Sequence, residues 1–175
     1  MDKILVVVYS YTGTSRRLGH MLCSQLGWPS GKIVEIDERA GPTGTLRCLA
    51  DSLLRRRPSI RYEGPDPRDF DAVVLITPIW AWRLAGPMRS FVAGQGDALK
   101  QVAVLSVMAS EGGPNAVAEI GRMLGRAPVL AAAFKSREVD DGSCAERLEA
   151  FGRALQSIRI DGAPVRAAEL SPYAA

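Results

Sequence analysis

The chain has 175 residues, of which 47% are hydrophobic and 23% charged, and its formal net charge is +3. That length supports one domain with a core of its own, and so small a charge excess points to no particular partner. No uncharged apolar run reaches the roughly 18 residues of a membrane span, so no membrane role is expected.

Met1-Asp2-Lys3 leads directly into a β-rich run with no small-residue cleavage site after it, so no secretory signal is expected. Cys23, Cys48 and Cys144 are widely spaced, and their odd number argues against a disulfide framework or a zinc site. Each is expected to fill a helix face, and a cytoplasmic location follows.

In chain order, Lys3 to Tyr9 is a continuous apolar, β-branched run, the mark of a strand buried on both faces of a parallel sheet. A polar loop, Ser10 to Thr14, precedes a helix to Leu26 that ends at Gly27. Lys32 to Ile36 reads as a weaker strand. A helix from Thr45 to Arg57 sets Leu46, Leu49 and Leu53 on one face. Its last residues, Arg55-Arg56-Arg57, read as a solvated helix end rather than a nucleic-acid patch, because no aromatic residues interleave with them. The linker Pro58 to Arg68 leaves room for a short strand at Ile60 to Tyr62.

Phe70 to Thr77 is the third buried strand, followed by a loop from Pro78 to Gly86 and a helix opened by Pro87. Gln101 to Met108 is the fourth strand. After the loop Ala109 to Gly113, Pro114 opens a helix with Val117, Ile120 and Leu124 inward and Gly125 as its stop. Val129 to Phe134 is the fifth strand, and Asp141 to Ile158 is a helix with Cys144, Leu148, Phe151, Leu155 and Ile158 along one stripe. Residues 1–160 then form one domain, and residues 161–175 a loosely held tail.

This alternation implies an α/β fold: a doubly wound, five-stranded parallel sheet. A ligand loop after the first strand fits the strand order 2-1-3-4-5, whose switch point lies between the first and third strands.

Three loops would meet at that edge. Ser10, Tyr11, Thr12, Gly13, Thr14 and Ser15 offer hydroxyls, one glycine and a helix N-terminus, which together suit a phosphate monoester; the plain alternative is a capped polar turn. The loop lacks GxxxxGK[ST], GxGxxG and cysteine, so P-loop, dinucleotide-fold and cysteine-phosphatase chemistry are not expected. In the second loop, Pro78, Ile79, Trp80 and Ala81 place an indole where it can stack on a flat ring, with Trp80 preferred to Trp82. In the third, Ala109, Ser110, Glu111, Gly112 and Gly113 are small enough for backbone to approach a ligand rim. Together they describe a seat for a phosphorylated flat cofactor. His20, the single histidine, falls on the first helix and reads as a surface residue. No catalytic side chain and no metal ligand is singled out.

At this point the residues resemble the flavodoxin family. Tyr9-Ser10-Tyr11-Thr12-Gly13-Thr14 is similar to its hydroxyl-rich FMN phosphate loop. Thr77-Pro78-Ile79-Trp80 with Gly86-Pro87-Met88-Arg89-Ser90-Phe91 is similar to its second flavin loop and helix, and Ser110-Glu111-Gly112-Gly113 to its third. The resemblance covers Asp2 to Ile158 and the short-chain branch. It implies a flavodoxin-like, FMN-binding domain, with residues 10–15 on the phosphate, 78–81 along the isoalloxazine and 109–113 at its other edge. The implied function is electron transfer between redox protein partners, a reductase and an acceptor. The alternative is an NAD(P)H-dependent FMN oxidoreductase acting on quinones or similar small acceptors, and a third reading is a flavin-free scaffold for a protein partner. The chain departs from the family's carriers in being slightly basic rather than acidic. It also has Trp80-Ala81-Trp82 where many carriers have a glycine.

Overall fold

A computed structural model describes residues 3–36, 50–109 and 112–158. Its centre is a mostly parallel sheet of seven strands. β1 (Ile4–Val8) is buried along its whole length, and its residues feed two different cores. Ile4, Val6 and Val8 face one layer, while Leu5 and Val7 face the other. A strand with period-two side chains and no polar face must be covered on both sides, and here helices do so.

The first layer is α1 (Thr14–Leu26) and α5 (Ala145–Ser157). In α1 the buried residues Ser15, Leu18, Gly19 and Leu22 follow helical spacing, and Gly27 ends the helix in the left-handed conformation at φ 68. The stripe on and beside α5, Cys144, Leu148, Phe151, Leu155 and Ile158, is buried throughout as expected. The second layer is α2 (Gly86–Gln95), which buries Met88, Phe91 and Val92, and α3 (Gly113–Leu124), closed by Gly125. Each fully buried Leu, Val or Phe contributes about 1.5–3 kcal/mol, so the two layers carry most of the stability.

The remaining strands are β2 (Ser30–Glu35), β3 (Ile60–Glu63), β4 (Ala72–Trp80), β5 (Arg83–Leu84), β6 (Val102–Met108) and β7 (Leu130–Lys135). Their order is β3-β2-β1-β4-β6-β7, with β5 paired to β4. The expected five-stranded sheet is thereby corrected to seven strands: the five parallel ones stand in the order β2-β1-β4-β6-β7, and two antiparallel strands are added to them. β3 adds an antiparallel edge to β2, and β5 returns antiparallel along the end of β4. The short strand expected within the linker is therefore real, whereas the stretch from Pro78 to Gly86, expected as a loop, is largely a hairpin.

Two further expectations change. The last helix begins at Ala145, and a short helix, α4 (Ser136–Asp140), precedes it. The Glu138 carboxylate accepts the Lys135 N–H at 2.8 Å and so starts α4. Residues 50–53 are helical, but Leu53 is exposed while Asp51 and Ser52 are buried. Leu46, Leu49, Cys48 and the tail at 161–175 lie outside the described residues. Burial raises the thiol pKa of both Cys23 and Cys144, as for packing residues. Among the described residues no helix is long and apolar enough to cross a membrane.

Candidate functional site

The carboxyl ends of β1, β4 and β6 deliver the three expected loops to one edge of the sheet. In the first, the Ser10 Oγ accepts the Gly13 N–H at 3.1 Å, which curls the loop back on itself. Gly13 has φ 99, a value other residues rarely adopt, and stands at the N-cap of α1. No side chain caps this helix and its first turn has no acid, so its leading N–H groups are left for an anion. Thr12 is exposed, Thr14 half-buried and Ser15 buried. Arg17 pairs at 3.4 Å with Asp140, both well exposed, a solvated pair of small worth.

The second loop is the tip of the β4–β5 hairpin. Ile79 pairs with Leu84 and Trp80 with Arg83, so only Ala81 and Trp82 make the turn. Both have positive φ, 48 and 59. Two such residues match the twist of a two-residue hairpin, but side-chain-bearing residues there cost roughly 1–2 kcal/mol each. Pro78 and Ile79 are half-buried and belong to β4.

Trp80 is the point where the first two loops meet. Its ring stands edge-on to Tyr11, centroids 5.9 Å apart. Its indole N–H is buried and has no hydrogen-bond partner among the described residues, an arrangement that costs about 1–3 kcal/mol unless an acceptor arrives. Trp82 points outward and is 58% exposed.

The third loop leans on the second. Gly112 has φ 114, and a Cβ there would come within 2.7 Å of the Trp82 Cα and 3.0 Å of the Ile79 side chain. Only glycine lets the start of α3 support the hairpin tip this closely. Gly112 and Gly113 are buried and Ala109 is exposed, while Ser110 and Glu111 lie outside the described residues. The three loops therefore touch in sequence, Tyr11 to Trp80 and the Trp80–Trp82 turn to Gly112. Three cavities border them, and each draws on one loop: Ser10 and Tyr11 line one of about 640 Å³, Ala81 one of about 440 Å³ and Gly113 one of about 870 Å³. His20 is exposed on α1.

One important group was missed. Arg89 on α2 is only 2% exposed. Its guanidinium donates to the Glu119 carboxylate at 2.6 Å, to the Leu84 and Arg56 carbonyls at 2.9 and 3.0 Å, and to the Asp51 carbonyl at 3.3 Å. It thus ties the hairpin, the segment at residues 51–56 and α3 together behind the site. The available sequence signal was an arginine between Met88 and the Phe91-Val92 pair, at the border of an apolar helix face.

The doubly wound, mostly parallel sheet with its three loops gathered at the carboxyl ends of β1, β4 and β6 has a flavodoxin-like α/β fold. The comparisons agree on the fold. An FMN-complexed flavoprotein from Lactobacillus acidophilus superposes with a TM-score of 0.64 at 17% identity, over 82% of this chain and 99% of that one. Its apo form, determined by NMR, gives 0.57 at 18% identity, over 80% and 96%. A protein from Bacteroides eggerthii, provisionally assigned as a flavoprotein, gives 0.61 at 17% identity, over 85% and 97%. No family model and no curated protein matches the chain by sequence.

Proposed function

We propose that this protein holds FMN non-covalently at the meeting point of the three loops and serves in electron transfer. The observation that carries this reading is Trp80: a buried indole N–H without an acceptor, beside Tyr11, at the edge where the uncapped N-terminus of α1 faces out. The donors fit the cofactor's chemistry. The Thr12, Thr14 and Ser15 hydroxyls and the first amides of α1 would hold the phosphate. The Trp80 ring with Pro78, Ile79 and Ala81 would line the isoalloxazine, and backbone at Ala109, Ser110, Glu111, Gly112 and Gly113 would meet its other edge.

When bound, FMN supplies the redox chemistry, since flavins pass electrons singly or in pairs. The chain's own work is to bind, orient and set the local field. The Trp80 ring and the aliphatic side chain of Ile79 exclude water from one side, and Arg83, paired across the hairpin to Trp80, contributes positive charge close to the flavin loop. Positive charge there favours an anionic reduced ring and raises the potential. The FMN would carry electrons between a reductase and an acceptor, both redox proteins.

The test is titration of apoprotein with FMN, read by flavin absorbance and fluorescence. Wild-type protein should bind one equivalent. Thr12→Val/Thr14→Val should weaken binding at least about tenfold, because each charge-assisted bond to a phosphate is worth ~1.5–3 kcal/mol. A double variant that binds FMN as tightly as wild type removes the phosphate seat from residues 10–15.

A further inference from the structure

We infer that the cavity between α3 and the edge strand β7 binds a medium-chain carboxylic acid that carries a second oxygen at its far end, an ω-hydroxy acid. The site is independent of the flavin reading. β7 stands last in the sheet. It places Ala131, Ala132 and Ala133 in succession, where β1, β4 and β6 run largely in Val, Leu and Ile. Alanine is disfavoured in strands and fills less of the adjoining layer, so space is left under α3. The three alanines are half-buried and line a cavity of about 870 Å³, within the usual range of small-molecule pockets.

The two ends of this cavity differ. Where α3 starts, Gly113 lies so close to β7 that a Cβ there would stand 2.9 Å from the Ala133 Cβ. Ser106, beside Ala133 in the sheet, lines this end. It is fully buried, and its Oγ has no hydrogen-bond partner among the described residues. A buried hydroxyl in that state is destabilising until a polar group meets it. Where α3 stops, Arg122 and Arg126 line the cavity. Backbone carbonyls hold both in place: Arg126 donates to Leu99, and Arg122 to Ala118 at 3.3 Å. The one carboxylate in the lining, Glu138, lies beyond the other end of β7, paired with Arg147 at 3.1 Å. Between the ends the walls are Val117, Ala118 and Ala131. From Pro114 to Gly125 the helix runs roughly 16 Å, and an extended chain of about ten carbons, at about 1.2 Å per bond, spans most of that. A ligand that satisfies the whole cavity therefore has an anion for the arginines, an apolar chain for the middle and an oxygen for Ser106. A plain fatty acid meets only the first two.

The test is calorimetric titration of ω-hydroxydecanoate, and separately of decanoate, into the full-length protein with and without FMN. The hydroxy acid should saturate one site and bind about tenfold more tightly than decanoate. Ser106→Ala should bring the hydroxy acid down to the affinity of decanoate and leave decanoate unchanged. Arg122→Gln/Arg126→Gln should weaken both acids about tenfold or more. Ser106→Ala adds neither charge nor bulk, so it decides the matter even where the arginine variant folds poorly. The proposal is overturned if neither acid binds saturably, as when residues 159–175 or a second copy fill the groove. It is equally overturned if Ser106→Ala keeps the preference for the hydroxy acid, or if a folded arginine variant binds as wild type does. Flavin uptake is read from visible absorbance in the same samples, and its failure bears on the flavin reading alone.

Discussion

Two antiparallel strands are grafted onto the parallel sheet, β3 beside β2 and β5 beside β4, and they are built on opposite terms. In the first, the charged and aromatic side chains of β3 have partners. Lys32 sits opposite Glu63 and pairs with it at 2.9 Å, and Arg61 reaches the same carboxylate at 2.6 Å. Tyr62 donates to the Pro65 carbonyl at 2.9 Å and packs 5.1 Å from Phe91. In the second, two residues stand at positive φ, one indole N–H lacks an acceptor, and another indole is left exposed. The first strand closes a sheet edge. The second holds local costs that the rest of the fold sustains but does not relieve, and such places are where ligands bind.

The largest effect should come from removing what braces the second hairpin. Arg89→Met leaves the Glu119 carboxylate and three carbonyls without their donor, and should cost about 3–5 kcal/mol in urea unfolding. A loss below about 1 kcal/mol would mean the brace is dispensable. Next, the two strands separate under matched glycine substitutions. At Gly31 a Cβ would strike the Tyr62 ring, and at Gly112 it would meet the Trp82 backbone at 2.7 Å. Both changes should cost roughly 1–3 kcal/mol, but only Gly112→Ala should also reduce FMN affinity. Equal loss of FMN in both variants would erase the distinction.

A smaller effect, of opposite sign, is expected at the hairpin tip. Ala81→Gly relieves a left-handed alanine and should raise stability by up to ~1 kcal/mol, net of the glycine's greater unfolded freedom. The smallest effect tests the first strand. Burial, and then the charge of Asp66, pushes the Tyr62 phenol up to about 12. The folded state keeps this proton longer than the unfolded state, whose phenol titrates near 10. Its contribution is therefore complete below pH 10 and is lost as pH rises toward 12. Tyr62→Phe should flatten that part of the stability–pH curve, by a modest amount because the group is only half-buried.

How much of this was legible in the sequence follows the same division. The β-branched run of β1 and the spacing of Leu18 and Leu22 announced a doubly wound core, because burial imposes those periods directly. Glycines at 27 and 125 marked the helix ends for a local steric reason. The β4–β5 hairpin was hidden, since two-residue turns are normally signalled by Asn-Gly or Asp-Gly, and Ala81-Trp82 carries no such signal. Leu53 misled because helical periodicity alone cannot tell which face a tertiary neighbour will cover. Here Arg89 and its partners draw in the Asp51 side of the turn instead. For the site, residue types in the loops were readable as hydroxyl, aromatic and small. The Tyr11–Trp80 contact, the support from Gly112 and the bracing arginine all depend on distances across the chain, which no local pattern encodes.

The central claim is that an acceptor on FMN completes the Trp80 indole. Its most direct test is the ¹H–¹⁵N spectrum of the three tryptophan side chains during FMN titration of apoprotein. The Trp80 indole resonance should shift saturably with one equivalent of FMN, while that of Trp28, on the distant first-layer side, stays in place. An unmoved Trp80 signal at full flavin occupancy would place the cofactor elsewhere and contradict the account.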